Sequence, residues 1–222
     1  MPFDLVIYDC DGTLLDTETL YGEVSLALCR EIGLAGWTLD HYNAHMVGIP
    51  LADGFKVIEA ALGRALPADF ESRIEDGVAA RLAQELRALP GVHEALSYLG
   101  GRRCVASSTS LAPLRRNLAL AGLIALFDPH VFSASQVARG KPAPDVFLFA
   151  AKQMDAAPER CLVLEDSVPG VQAARAAGMR VAGFTGAAHD KAAMRERLLA
   201  AGAVTVVDNY ADWPRVVASL AA

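Results

Sequence analysis

Asp9 and Asp11, one residue apart, close the apolar run Leu5-Val6-Ile7-Tyr8, and Gly12-Thr13 follows at once. In an extended strand, residues two apart point to the same face, so the spacing predicts two carboxylates side by side at the strand's carboxyl end. Adjacent anions repel unless one keeps a proton or a divalent cation lies between them, and hard oxygen donors favour Mg²⁺. The chemistry offered is that of a metal-bound carboxylate pair. The same residues also fit a strand ending in an Asp-Gly turn, with Asp11 or Thr13 capping the next helix. Three further groups have the same double aspect. Ser107-Ser108-Thr109-Ser110 brings hydroxyls and backbone N–H groups that can hold a phosphate oxygen, or can simply cap the helix that follows. Lys141, in the proline-stiffened Gly140-Lys141-Pro142-Ala143-Pro144-Asp145, is a fixed cation able to neutralise a phosphate and a nucleophilic carboxylate, or an exposed turn lysine. Glu165-Asp166-Ser167 is a second acidic pair that could complete a Mg²⁺ site, or again a cap.

These groups need elements to hold them. Short β-rich runs near 3–9, 103–107, 130–133, 161–165, 180–184 and 203–207 alternate with helical patterns near 91–100, 111–121, 144–155, 168–177, 190–200 and 210–221. That alternation predicts an α/β fold, a doubly wound parallel sheet in three layers with helices on both faces. Continuous apolar strands such as Leu162-Val163-Leu164 suit a sheet covered on both sides. All four chemical groups fall where such strands end, which is where ligands bind in these sheets. From 17 to 88 no strand pattern occurs, only helical stretches near 20–32, 39–46, 51–62 and 69–89, broken at Gly33, Gly36, Gly48-Ile49-Pro50 and Gly63. Residues 1–16 and 89–222 are therefore expected to form the α/β core, with 17–88 inserted after the first strand as an all-helical cap able to cover the paired aspartates.

Composition narrows the function classes. The chain has 222 residues, a hydrophobic content of 53% and a formal net charge of −6, a balance that argues against disorder and leaves no electrostatic footprint for nucleic acid. The doublets Arg102-Arg103 and Arg115-Arg116 read as solvated surface. An acidic protein handling an anionic substrate must place its positive charge locally. Cys10, Cys29, Cys104 and Cys161 form no CxxC pair and read as buried thiols, so neither zinc nor a disulfide framework is expected. No apolar run approaches the roughly 20 residues that cross a bilayer and no signal-peptide pattern is seen, so a cytoplasmic protein without membrane contact is expected. His41 and His45 share a helix face at metal-ligand spacing without an evident third ligand, and read as a solvated pair.

Taken together, Asp9-Cys10-Asp11-Gly12-Thr13-Leu14-Leu15-Asp16, Ser107, Gly140-Lys141-Pro142-Ala143-Pro144-Asp145 and Glu165-Asp166-Ser167 resemble the four motifs of the haloacid dehalogenase (HAD) superfamily, in order and over nearly the whole chain. The helical insert is similar to the cap of its phosphoglucomutase-like and small sugar-phosphatase branch. The resemblance implies a Rossmann-like core, Asp9 as nucleophile and Asp11 as general acid and base. It implies that Ser107, with Ser108 and Thr13, binds the phosphate, and that Lys141 bridges the phosphate to Asp9. Asp9, Asp166 and the backbone carbonyl of Asp11 would hold Mg²⁺ with Glu165 in support, and Glu18, Tyr21 and the loop at 48–54 would contact the rest of the substrate.

The activity so implied is Mg²⁺-dependent hydrolysis of a small phosphorylated metabolite, a sugar phosphate or phosphogluconate, by a monomer or weak homodimer. Dehalogenases of the family lack the second aspartate and phosphonoacetaldehyde-cleaving members carry alanine there, so Asp11 points away from both, and Lys56 reads as a solvated lysine. A β-phosphoglucomutase-like phosphotransferase is the alternative. That branch uses a histidine after the first motif and a cap-loop arginine, where this chain has Tyr21 and Leu51. A phosphoacceptor signalling domain also gathers acids, a hydroxyl and a lysine at strand ends, but the insert and the length disfavour it.

Overall fold

The computed structural model describes residues 3–46 and 51–220, apart from the side chains of Glu18, Leu51 and Ala52. The chain divides into two compact units, one of Met1–Asp16 with Arg87–Ala222 and the other of Thr17–Leu86. The first is built on β1 (Leu5–Tyr8), β2 (Arg103–Ser107), β3 (Val131–Ser133), β4 (Cys161–Glu165), β5 (Arg180–Phe184) and β6 (Thr205–Val207). They form one sheet in the order β3-β2-β1-β4-β5-β6, with every pairing parallel. The expected α/β doubly wound sheet is present. Strand order reverses about β1, which lies between β2 and β4, so the switch point where such sheets take ligands falls at the carboxyl ends of β1 and β4. Tyr8 is in register with Val105 and Leu164, and Asp9 N–H continues that ladder to Leu164 O at 3.0 Å.

Helices α5 (Val92–Leu99), α6 (Leu111–Leu120), α7 (Ile124–Phe127), α8 (Asp145–Gln153), α9 (Val168–Ala176), α10 (Lys191–Ala201) and α11 (Trp213–Ser219) complete this unit; α1 to α4 belong to the other. Every residue of β1 and β4 is buried, which explains their unbroken apolar runs. Alternate residues serve opposite layers. Leu5, Ile7, Cys104, Ala106 and Val163 join Phe147, Ala150, Val171 and Ala174 of α8 and α9 in one core. Tyr8 packs edge-on against Phe127 of α7 and Trp213 of α11, whose indole N–H donates to the Tyr8 hydroxyl at 3.1 Å. Strands of three to five residues have little stability alone; fully burying each large apolar side chain contributes about 1.5–3 kcal/mol, and that sum holds them in the sheet. All four cysteines are buried free thiols, and no helix among the described residues is long and apolar enough to cross a membrane.

The second unit is helical: α1 (Glu18–Glu31), α2 (Leu39–Met46), α3 (Leu51–Leu62) and α4 (Phe70–Glu85). Val24, Leu28, Cys29, Ile58, Phe70 and Ile74 form its core. Gly77 lets α4 approach α1, since a Cβ there would sit 2.8 Å from Val24 Cγ1. Helical periodicity predicts α4 running on to residue 89, but it stops at Glu85. The chain turns extended at Leu86, and Ala88 then forms an antiparallel bridge with Leu15 while Leu89 N–H donates to Leu14 O at 2.9 Å. This pairing outcompetes the last helical turn and clamps the loop that carries Asp9 and Asp11.

The same loop is held from below. Tyr210, almost fully buried, donates its hydroxyl to the backbone carbonyl of Thr13 at 2.8 Å. Removing the donor strands a buried carbonyl, at a cost of about 1–3 kcal/mol. Tyr210→Phe is expected to lower the free energy of unfolding by that amount, read as a lower urea midpoint with an unchanged m value; an unchanged midpoint would show that the hydroxyl does not hold the turn.

Candidate active site

The side chain of Lys141 is 3% exposed, not the solvated turn lysine that its loop would equally allow. Pro144 precedes α8 and Ala143 N–H closes a turn on Gly140 O at 3.0 Å, so the loop after β3 turns back over the sheet. The Lys141 ammonium donates to Asp9 Oδ1 at 2.5 Å, Glu165 Oε1 at 2.7 Å and Ala106 O at 3.2 Å, and lies 4.8 Å from the centre of the Phe147 ring. Its three donors thus reach groups at the ends of β1, β2 and β4. Burial works to strip this proton, but the carboxylates of Asp9 and Glu165 outweigh it and raise the ammonium above the ordinary lysine value. For Asp9, burial dominates and pushes the carboxyl up to about 7, with Lys141 opposing and Glu165 adding to the rise. One ammonium does not offset the acids gathered here.

Oxygen atoms of Asp9, Glu165 and Asp166 come within 4.8 Å of one another, an all-oxygen donor group of net negative charge. That donor set fits a hard divalent cation. Glu165 has both oxygens engaged: Oε1 by Lys141, and Oε2 by Ser167 N–H at 2.7 Å and Ser167 O–H at 2.9 Å. The capping alternative holds for Ser167, whose hydroxyl accepts from Gly170 N–H at 3.1 Å to start α9. Asp166 instead accepts from Thr13 O–H at 3.0 Å. Two glycines make room for these acids. Gly12 sits at φ +74° with Asp166 Oδ2 only 2.2 Å from where a Cβ would be, and at Gly170 the Cβ would be 1.7 Å from Glu165 Oε1.

Although its charge acts on Asp9 and adds to the rise of that carboxyl, Asp11 is not part of the three-acid group. The reason is local: β1 ends at Tyr8, and the chain then turns so that Cys10 O accepts from Leu14 N–H at 2.7 Å and Leu15 N–H at 3.0 Å. The Asp11 carboxylate accepts instead from Thr109 O–H at 2.6 Å. Ser107 is buried at the end of β2, its hydroxyl accepting from Thr109 N–H at 3.0 Å, whereas Ser108 is exposed. None of this loop caps α6 by side chain, since the cap position is Ser110 and its hydroxyl makes no such bond.

In the helical unit, Tyr21 is half-buried against that unit's core, its hydroxyl pushed above the usual value by burial and then by Glu71 and Glu75. The side chain of Glu18, the stretch 47–50 and the side chain of Leu51 lie outside the described residues. His45 Nδ1 is 2.8 Å from His41 O and the two exposed rings stack at 4.4 Å, while Lys56 pairs in solvent with Asp53. Sequence reasoning singled out neither Gly170 nor Tyr210, and it saw Thr109 only as one hydroxyl among four. A glycine in the first turn of a helix after an acidic pair was the one available signal.

A profile of the haloacid dehalogenase-like hydrolases matches residues 3–178. The chain belongs to this family. Among its relatives, a phosphorylated carbohydrates phosphatase of Thermotoga maritima is 33% identical over 209 residues, covering 92% of this chain and 94% of that one. A 6-phosphogluconate phosphatase of Escherichia coli is 29% identical over 191 residues, 85% of each. The crystal structure of a haloacid dehalogenase-like protein of unknown function from Agrobacterium tumefaciens superposes with a TM-score of 0.92 at 38% identity, covering 99% of this chain and 100% of that one. In this HAD hydrolase the acids, the lysine and the hydroxyls at the strand ends therefore stand on an enzyme scaffold.

Helix propensity alone makes glycine to alanine favourable by about 1 kcal/mol in a helix. At Gly170 the sign should reverse. The added methyl group would force Glu165 off Lys141 and Ser167, and a buried charge that loses its partner costs about 3–5 kcal/mol when nothing replaces it. Gly170→Ala is expected to be destabilised in urea unfolding; a stabilised variant would show that the Glu165 carboxylate is not locked.

Proposed function

We propose that this HAD hydrolase is a Mg²⁺-dependent phosphatase of small phosphorylated carbohydrates, working through an aspartyl-phosphate on Asp9. The observation that carries the reading is the buried Lys141 ammonium held against Asp9 and Glu165, with Asp166 beside them. An anionic nucleophile attacks an anionic phosphate only where positive charge lowers their repulsion, and the Lys141 ammonium against Asp9 supports this reading. The phosphatase relatives support the reaction type and the carbohydrate class of substrate.

In the first step an Asp9 oxygen forms a bond to phosphorus as the bond from phosphorus to the substrate's alcohol oxygen breaks, and protonated Asp11 gives its proton to that oxygen. In the second, Asp11 takes a proton from water as the water oxygen bonds to phosphorus, and the bond from phosphorus to Asp9 breaks. Splitting the displacement in this way replaces one difficult step by two easier ones. The acceptor side of the Ser107 hydroxyl is taken by Thr109 N–H, which leaves its proton to donate to a phosphate oxygen. Asp9 and Asp166 would hold Mg²⁺, together with the backbone carbonyl of Asp11 that the family resemblance implies, with Glu165 in support through Lys141 and Ser167. When bound, the cation supplies positive charge to the transferring phosphoryl oxygens. Lys141 orients the nucleophile and opposes the rise that burial imposes on its carboxyl. Glu18, Tyr21 and the loop at 48–54 are the residues proposed to read the carbohydrate.

The test is phosphate release from a panel of sugar phosphates, 6-phosphogluconate, phosphoglycolate and nucleotides, with Mg²⁺ and with EDTA. Release is expected from at least one carbohydrate phosphate, to cease with EDTA and return with Mg²⁺. Asp9→Asn is expected to abolish turnover, and appreciable activity in that variant would remove Asp9 from the nucleophile's role. Conversion of β-glucose 1-phosphate to its 6-phosphate isomer, without phosphate release, would overturn the phosphatase reading in favour of a mutase.

A further inference from the structure

Thr109 spends every hydrogen-bonding group it has within the strand-end loops. Its N–H donates to Ser107 Oγ at 3.0 Å, its carbonyl accepts from Ser133 O–H at 2.7 Å, and its side-chain hydroxyl donates to Asp11 Oδ2 at 2.6 Å. Ser133 is wholly buried at the end of β3, in register with Ser107. It is itself fixed: Ser133 Oγ accepts from Ser135 N–H at 3.1 Å and Ser133 N–H donates to Gln136 Oε1 at 2.8 Å. A chain of bonds therefore runs across three neighbouring strand ends, from Ser133 after β3, through Thr109 after β2, to Asp11 after β1. A hydroxyl whose backbone is pinned on both sides cannot swing freely, and a carboxylate bound to it takes a set rotamer.

We propose that Thr109 is the positioning residue for Asp11, and that the buried Ser133 holds Thr109 in place for that task. By engaging Oδ2, the Thr109 hydroxyl assigns Oδ1 as the oxygen that exchanges the proton. The bond leaves Asp11 outside the group formed by Asp9, Glu165 and Asp166, although its charge still acts on Asp9. The proposal rests on the reading of Asp11 as general acid and base. In the first step the O–H bond at Oδ1 breaks and its proton goes to the departing alcohol oxygen. In the second, Oδ1 receives the proton that water gives up.

A residue that merely supports the loop would slow all substrates alike. A residue that aims the acid matters in proportion to how much the leaving group needs a proton. The experiment compares kcat/KM, which reports the steps up to the phosphoenzyme, for the sugar phosphate that the wild type hydrolyses and for p-nitrophenyl phosphate, whose phenolate leaves without a proton. Thr109→Val is expected to lose about 10–100-fold on the sugar phosphate, part of the contribution general acids make, and to stay within about 3-fold on p-nitrophenyl phosphate. Thr109→Ser, which keeps the donor, should retain most of the sugar-phosphate rate. Ser133→Ala, which leaves Thr109 intact, should show the same substrate bias in smaller degree and serves if Thr109→Val does not fold. Equal losses on both substrates, no loss on either, or Thr109→Ser as impaired as Thr109→Val would overturn the proposal. A wild type that releases phosphate from neither compound would instead overturn the phosphatase reading itself.

Discussion

A buried ammonium between two buried carboxylates is the interaction on which the geometry of this chain turns. Taking such charges out of water is expensive, and their mutual attraction compensates only when distances are short and remaining hydrogen-bonding positions are filled. Lys141 meets that condition with one donor each for Asp9, Glu165 and the carbonyl of Ala106. Because those partners close three different strands, the ion cluster fixes where β1, β2 and β4 end relative to the loop after β3. The arrangement still leaves negative charge in excess, with Asp166 at its edge and the Asp9 carboxyl pushed up by burial. An excess of this kind is poor design for stability alone; it suits a site that completes itself with a cation and a phosphate.

Around that cluster, backbone shape and buried polar contacts carry the precision. Gly12 and Gly170 leave the space that Asp166 and Glu165 occupy, so the acids are set by missing methyl groups as much as by partners. The turn after β1 is held by Cys10 O, by the Tyr210 hydroxyl on Thr13 O and by pairing with residues 88 and 89. Below it, the indole of Trp213 satisfies the Tyr8 hydroxyl inside an otherwise apolar layer. A loop fixed from three directions holds the Asp9 carboxylate to a narrow range of positions.

What could be read in advance follows from the range of the signal. Alternating apolar runs and helical stretches reveal a parallel sheet because burial on both faces is written locally, as in Leu162-Val163-Leu164. Helix α7 and the end of α4 were not legible, the first because four residues show no period, the second because Leu86 to Leu89 give up a helical turn for a bridge to residues more than 70 positions earlier. The same limit applies at the site. The spacing of Asp9 and Asp11 is legible along the chain, but the partner of Asp11 is not, because Thr109 lies 98 residues away.

By itself, then, the sequence determined the residue types available for chemistry, their placement at strand ends, and the family to which their spacing belongs. Tertiary structure alone decided which acid meets which partner: Glu165 bound directly to Lys141, Asp11 turned toward Thr109, and Gly170 and Tyr210 recruited as supports. The reason is physical. Apolar periodicity and turn chemistry act between neighbours in the chain, whereas desolvation and ion pairing depend on distances that exist only once the six strands have assembled.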